Sequence, residues 1–269
     1  MKLFSGFFLF CVLASLTLSP ACAQRSDSLR QGSFSPEVFV PLEPKDPLTR
    51  AKAHTDLAAL YFEDGELIFA LEELTLAIAF NPDYAPAYSM RALALYRLKE
   101  FESAEKDLQQ AIRLAPRDPD INNNYGWYLC QTGKEKESIP YFENAHKNVL
   151  YKTPEIAFLN IGMCLARVNE LNAAEEAIER SLRISPNNPR ALFQLALIGY
   201  KRKNYDASRE YLSRIQRQVN ELDVEVLWLA LRVERRLGNT VSEASLSAQL
   251  KRRFPDSPEY RDLLKGNFE

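Results

Sequence analysis

The sequence predicts an all-α solenoid of six stacked helix–turn–helix repeats, from three observations. Dipeptides that end in proline recur at a fixed interval: Asn81-Pro82 and Ala115-Pro116 lie 34 residues apart, and Ser185-Pro186 follows after two further periods plus two residues. A small residue recurs on nearly the same period, at Ala58, Ala92, Gly126, Gly162 and Ala196. Finally, only nine glycines occur in 269 residues and β-branched runs are few, which favours helix over strand.

The chain opens with Lys2 and an apolar run over residues 3–18. A membrane span needs about 20 apolar residues, and Ser19-Pro20 ends this run early, so it reads as a secretory signal. Two processing sites compete. Ser19-Pro20-Ala21-Cys22 resembles a bacterial lipobox, which would make Cys22 the lipidated first residue of the mature chain. Leu18 stands one place too early for that box, and Pro20 is atypical in it. The rival is Ala21-Cys22-Ala23, an A-x-A signal-peptidase site that would release a chain starting at Gln24. The lipobox reading is adopted, with residues 1–22 as signal. Residues 23–48 carry Pro36, Pro41, Pro44 and Pro47, a density that blocks helix and predicts an extended tether. Val38-Phe39-Val40 could instead form a short docking strand.

The repeats then occupy residues 49–269. A 34-residue helix–turn–helix period is that of the tetratricopeptide repeat, with the pattern W-x2-L-G-x2-Y, A-x3-F and a closing Pro. His54, Leu57, Ala58 and Tyr61 lead to Ala70, Leu74 and Pro82; Tyr88, Arg91, Ala92 and Leu95 lead to Ala104, Leu108 and Pro116. Asn122, Tyr125, Gly126 and Leu129 lead to Ser138 and Phe142 without a closing proline. Here the second helix is expected to run on through Lys147-Asn148-Val149-Leu150 to Pro154, absorbing the two extra residues. Phe158, Ile161, Gly162 and Leu165 lead to Ala174, Ile178 and Pro186; Leu192, Leu195, Ala196 and Gly199 lead to Ser208 and Leu212. A degenerate last unit, from Leu229-Ala230 to Phe254-Pro255, suits a terminal repeat with one face in water. The small residues let paired helices approach, and each hairpin buries its remaining face on the next. The expected result is a right-handed superhelix with a concave groove lined by first helices.

Residues on the first helices that packing does not claim are free to meet a partner. They are Phe62, Leu93, Tyr96, Asn123, Trp127, Met163, Phe193, Leu197 and Tyr200, joined by Arg97, Arg167 and Arg190. Aromatic and arginine anchors beside apolar positions suit a groove for a peptide or helix, although Leu93 and Leu197 equally suit packing between helices. Cys130 and Cys164 are one period apart on adjacent first helices, so stacking brings them together. In an oxidising compartment a disulfide is favoured over two buried thiols.

Lys and Arg number 34 against 36 Asp and Glu, which argues against nucleic acid as a partner. The two histidines, His54 and His146, fall in different repeats, and no zinc spacing, P-loop, G-x-S-x-G or G-x-G-x-x-G occurs. His54 is expected to pack where the repeat pattern has its aromatic. Neither an enzyme nor a cofactor or metal site is expected, and the chain reads as a monomeric binding protein.

Asn-Asn-Tyr-Gly-Trp-Tyr-Leu-Cys-Gln-Thr-Gly (Asn123 to Gly133) resembles the PilF/PilW family of type IV pilus biogenesis proteins. So do Tyr151-Lys-Thr-Pro-Glu155, Ser185-Pro-Asn-Asn-Pro-Arg-Ala191, Leu227-Trp-Leu-Ala-Leu-Arg-Val-Glu234 and Arg253-Phe-Pro-Asp-Ser-Pro258, over residues 49–262. The resemblance implies a pilotin: a periplasmic lipoprotein of the outer membrane that binds the secretin subunit and promotes its delivery or multimerisation. It also maps the family's cysteine pair onto Cys130 and Cys164, and Ala23 after Cys22 agrees with outer-membrane sorting. Two other readings are a general periplasmic scaffold for envelope assembly, and an enzyme or enzyme activator of cell-wall synthesis. The last predicts a polar pocket with perturbed carboxylates.

Overall fold

Asp46-Pro47 starts the first helix rather than ending a tether. The Asp46 carboxylate accepts from the Thr49 N–H at 2.8 Å, and Pro47 sits in the first turn, where an amide proton would have no partner inside the helix. In the computed structural model, residues 46–268 are described. The signal segment, Cys22, Val38-Phe39-Val40 and the rest of the tether before Asp46 lie outside the described residues.

Among the described residues there are thirteen helices. They are α1 (Pro47–Glu63), α2 (Leu67–Phe80), α3 (Ala85–Arg97), α4 (Phe101–Leu114), α5 (Pro119–Gln131) and α6 (Glu135–Lys147), followed by α7 (Pro154–Arg167), α8 (Leu171–Ile184), α9 (Pro189–Lys201), α10 (Tyr205–Gln216), α11 (Val224–Arg236), α12 (Thr240–Arg253) and α13 (Pro258–Lys265). The first twelve form six antiparallel hairpins. None of the described helices is long and apolar enough to cross a membrane.

Each first helix ends the same way. Gly65, Lys99, Gly133, Asn169, Lys203 and Gly238 all adopt positive φ, spaced 34 or 35 residues apart except for 36 between the third and fourth. This left-handed residue reverses the chain into the second helix and satisfies terminal carbonyls, as where Lys203 N–H donates to the Tyr200 carbonyl and Asn204 N–H to the Gly199 carbonyl. The second helices α2, α4, α8 and α12 end on a residue outside the helical region, Asn81, Ala115, Ser185 or Phe254, followed by proline. Asp118, Asn188 and Ser257 then cap the next helix.

The two extra residues of the third repeat do not extend a helix, as the sequence led us to expect. α6 stops at Lys147 because Asn148 diverts the chain: its Oδ1 accepts from Leu150 N–H at 2.9 Å and its Nδ2 donates to the Arg117 carbonyl at 3.0 Å. Val149 and Leu150 therefore lie in the connection, 95% and 80% exposed.

Within each hairpin the small residue sets the helix separation. Ala58, Ala92 and Ala196 are fully buried, and a Cβ built on Gly126 would lie 2.9 Å from the ring of the fully buried Phe142. Burying a side chain the size of Phe142 or Leu74 contributes about 1.5–3 kcal/mol each, and such residues recur hairpin after hairpin. His54 fills the aromatic slot of the first repeat, its ring 5.1 Å from that of Phe80 and its Nδ1 2.6 Å from Glu73. Successive first helices bring their backbones close together, α1 to α3 and so on to α11, whereas no second-helix backbone comes as close to the next second helix among the described residues. The first helices therefore form one continuous face. The additional α13 packs on α11 and α12 and covers the end of the last hairpin.

Candidate functional site

Counted from the small residue of each repeat, the side chains one and five places later are half-buried or exposed, as are Phe62, Tyr96 and Tyr200 at the four-place position, whereas Cys130 and Ala166 at that position are buried. At the five-place position Arg97, Arg167 and Lys201 reach back onto the preceding first helix. Arg97 donates to the Phe62 carbonyl at 2.9 Å and Lys201 to the Ala166 carbonyl at 3.4 Å, each cation lying at the C-terminal end of the preceding first helix, where the helix dipole is negative. Arg167 donates to Gln131 at 3.1 Å and Glu135 at 3.2 Å. These three cations are therefore fastened across repeat junctions.

Aromatic side chains fill the neighbouring positions. The Arg97 guanidinium lies 4.0 Å from the centre of the half-buried Phe62 ring. Tyr96 meets Trp127 edge to face at 4.7 Å, and also Phe101 at 5.3 Å and Tyr128 at 6.1 Å. The Tyr128 hydroxyl donates to the Phe101 carbonyl at 2.9 Å, and burial pushes its pKa up. Tyr96 and Trp127 are half-buried, so each keeps part of its ring surface exposed. Leu93, Leu197 and Met163 are also half-buried, with Met163 packed against the core of the fourth repeat.

Asn123 does not belong to this surface. It is only 9% exposed, and its Oδ1 accepts from Asn160 Nδ2 at 3.0 Å, joining the third repeat to the fourth. The asparagine cluster that makes this stretch distinctive is structural throughout. Asn122 donates to the Pro116 and Asp118 carbonyls at 3.0 and 2.7 Å, and Asn124 donates to the Ser89 hydroxyl at 3.0 Å, across the second and third repeats. Buried amides need such partners, which is why three adjacent asparagines are accommodated.

The Sγ atoms of Cys130 and Cys164 are 2.07 Å apart and their Cα atoms 5.8 Å apart, joining α5 to α7 at the same junction as Asn123 and Asn160. Arg190 and Phe193 open instead into a cleft of about 540 Å³ between α9, the end of α10 and the start of α11. Val219 and Val226 supply its apolar lining, and Glu221, Asp223 and Glu225 its carboxylates.

Tyr200 is covered. Arg232 lies 4.4 Å from its ring centre, and its hydroxyl donates to the Phe268 carbonyl at 3.4 Å. Trp228, Arg232, Arg235 and Phe268 were not among the expected surface residues. The spacing of the first three, four and then three places along α11, marks one helix face and was readable from the sequence. The return of Phe268 onto that face was not.

Tetratricopeptide-repeat families match residues 85–118 and 159–223. The type IV pilus assembly protein PilF of Pseudomonas aeruginosa is 26% identical over 211 residues, covering 78% of this chain and 83% of PilF. The crystal structure of PilW, a widely conserved type IV pilus biogenesis factor, superposes with a TM-score of 0.75 at 31% identity, over 80% of this chain and 98% of PilW. The solved structure of Pseudomonas aeruginosa PilF superposes at 0.72 and 25% identity, over 82% of this chain and 100% of PilF. Sharing both sequence and fold with PilW over nearly its whole length, this chain belongs to the PilF/PilW family of tetratricopeptide-repeat type IV pilus biogenesis proteins.

Proposed function

We propose that this protein is a pilotin: a non-enzymatic periplasmic adaptor that binds the secretin subunit and promotes its arrival and multimerisation in the outer membrane. The observation that carries the reading is the likeness to PilW over 98% of that chain, a protein described as a type IV pilus biogenesis factor. The first-helix face supports it, with arginine and aromatic side chains of the kind that dominate binding energy at interfaces.

In this mechanism Cys22 carries the lipid anchor, and the residues up to Pro44 give reach from the membrane. Several acyl chains hold a protein stably where one holds only marginally. Bound secretin would travel with the lipoprotein, and confinement at the membrane would raise its effective concentration for assembly. Tyr96 and Trp127 form the centre of the contact surface, with Phe62, Met163 and Arg167 beside them. Arg190 and Phe193 extend the contact toward the fifth repeat, whereas Tyr200 is covered by Phe268. An oxidised Cys130–Cys164 pair keeps the third and fourth repeats in register beneath that centre. No cofactor is required.

The test is the amount of SDS-resistant secretin multimer in outer-membrane fractions of a deletion strain. Multimers should disappear in the deletion and return with the wild-type gene, but not with Cys22→Ala or Trp127→Ala, provided the Trp127→Ala protein keeps the wild-type helix signal. Normal multimers in the deletion strain would sink the reading.

A further inference from the structure

The last described residue of the chain occupies the first-helix face. α13 ends at Gly266, whose φ of 72° turns the backbone sharply. Gly266 N–H donates to the Leu263 carbonyl at 3.1 Å and Asn267 N–H to the Asp262 carbonyl at 2.9 Å, the paired bonds of a helix-ending reversal. Asn267 Nδ2 also reaches Asp262 Oδ1 at 3.3 Å. The reversal sends Phe268 back across α11 toward α9.

There the residue is held at both its side chain and its backbone. Its ring stacks on Trp228 at 5.6 Å and 23°, and the Arg235 guanidinium lies 3.9 Å from the ring centre. Its carbonyl accepts from Arg232 Nε at 3.1 Å and from the Tyr200 hydroxyl at 3.4 Å. An aromatic ring between an indole and a guanidinium, with its carbonyl held by two donors, is how a groove holds a bound peptide residue. The donors are not specific to this chain's own tail. They read an aromatic side chain and any peptide carbonyl in the same register.

We propose that the surface formed by Tyr200, Trp228, Arg232 and Arg235 is a binding site for an aromatic residue in an extended segment of a partner protein, and that Phe268 is its resident occupant, displaced when the partner binds. Arg235 is already paired with Glu243 at 2.6 Å, so Arg232 is the cation that favours an acidic residue beside the aromatic one. The site goes beyond the pilotin reading and rests on it only for the identity of the partner.

The experiment uses the full mature chain and a fluorescein-labelled peptide, Lys-Gly-Asn-Phe-Glu with blocked ends, followed by fluorescence anisotropy. Phe268→Ala empties the site while leaving its donors in place, and thermal melting checks that this variant stays folded. The peptide should bind Phe268→Ala about tenfold more tightly than wild type, because the resident tail competes at high effective concentration. A peptide with Ala in place of Phe should not bind, and Arg232→Gln added to Phe268→Ala should weaken binding of the Phe peptide. Equal affinity for wild type and Phe268→Ala overturns the proposal, as does failure to bind Phe268→Ala. A purified secretin periplasmic domain separates the two readings. If it binds wild type and Phe268→Ala alike, displacement of the tail is wrong while the pilotin reading stands. If it binds neither while the peptide behaves as expected, the site stands and the pilotin reading fails.

Discussion

A methyl group added at Gly162 would lie 2.3 Å from Ile178 Cγ1 and 2.8 Å from the Ala174 carbonyl oxygen. Since a backbone atom cannot step aside as a flexible side chain can, Gly162→Ala should cost about 1–3 kcal/mol by overpacking, outweighing the gain of up to about 1 kcal/mol in helix propensity. Urea denaturation of the purified domain measures this, and an unchanged or raised midpoint would show that α7 and α8 can separate freely. His146 sets a second residue-scale expectation. Its ring stacks on Phe158 at 4.4 Å, and burial lowers its pKa from the ordinary 6.5. As the pH falls through that ordinary value, the unfolded chain takes up the proton before the folded one does. The contribution of His146 is thus fully present above about pH 6.5 and is lost as the pH falls toward the lower folded value. His146→Gln should flatten the decline in stability between about pH 7 and pH 5.5. Equal slopes for the two proteins would count against it. The residues beside these show what the sequence conceals: Asn123 and Trp127 share one helix and one motif, yet one is spent on the next repeat and the other keeps part of its ring surface exposed. Helical spacing assigns a residue to a face. It does not say how closely the neighbouring repeat approaches that face.

At the scale of elements, three of the six hairpin turns place a residue other than glycine in the left-handed region, Lys99, Asn169 and Lys203. A side chain there costs roughly 1 kcal/mol against the following carbonyl. Lys203→Gly, and independently Lys99→Gly, should therefore raise the unfolding free energy by up to about 1 kcal/mol without moving the helices. Chemical denaturation of the single variants is the check, and destabilisation would mean that the lysine makes a compensating contact. The hairpins themselves were legible because each is encoded locally, by the small residue, the turn and the proline that closes the second helix. Where the expectation failed, a short-range polar contact overrode it. Asn148 ends α6 where a helix was expected to continue, and Asp46 with Pro47 begins α1 where proline was read only as a breaker. The eight-residue cap α13 was missed because nothing in the repeat pattern extends past Phe254-Pro255.

At the scale of the whole domain, the solenoid is a row of hairpins, each touching only its neighbours, so its cooperativity depends on the junctions. The junction between the third and fourth repeats carries Cys130–Cys164 and the Asn123–Asn160 hydrogen bond. With that pair oxidised, a loop spanning 34 residues is closed, and a closed loop of that size stabilises by about 3–4 kcal/mol in the chain-entropy account. Cys130→Ser with Cys164→Ser should therefore lower stability by up to that amount. In hydrogen exchange, protection should fall first in α5 to α7. Two free thiols in the mature wild-type protein under non-reducing mass spectrometry would refute the premise.

The sequence by itself determined the all-helical class, the hairpin period and the membership of a repeat architecture, because these follow from interactions within about 34 residues that recur along the chain. It also assigned residues to the first helices, Tyr96 to α3 and Trp127 to α5 among them. Only the tertiary structure decided what that face has left to offer. Asn123 is buried against Asn160, Arg97 and Lys201 are fastened to the preceding repeat, and Tyr200 is covered by Phe268, 68 residues further along. Each of these contacts joins residues at least one repeat apart, and its geometry is set by how neighbouring hairpins stack, which helical periodicity within a single hairpin does not encode.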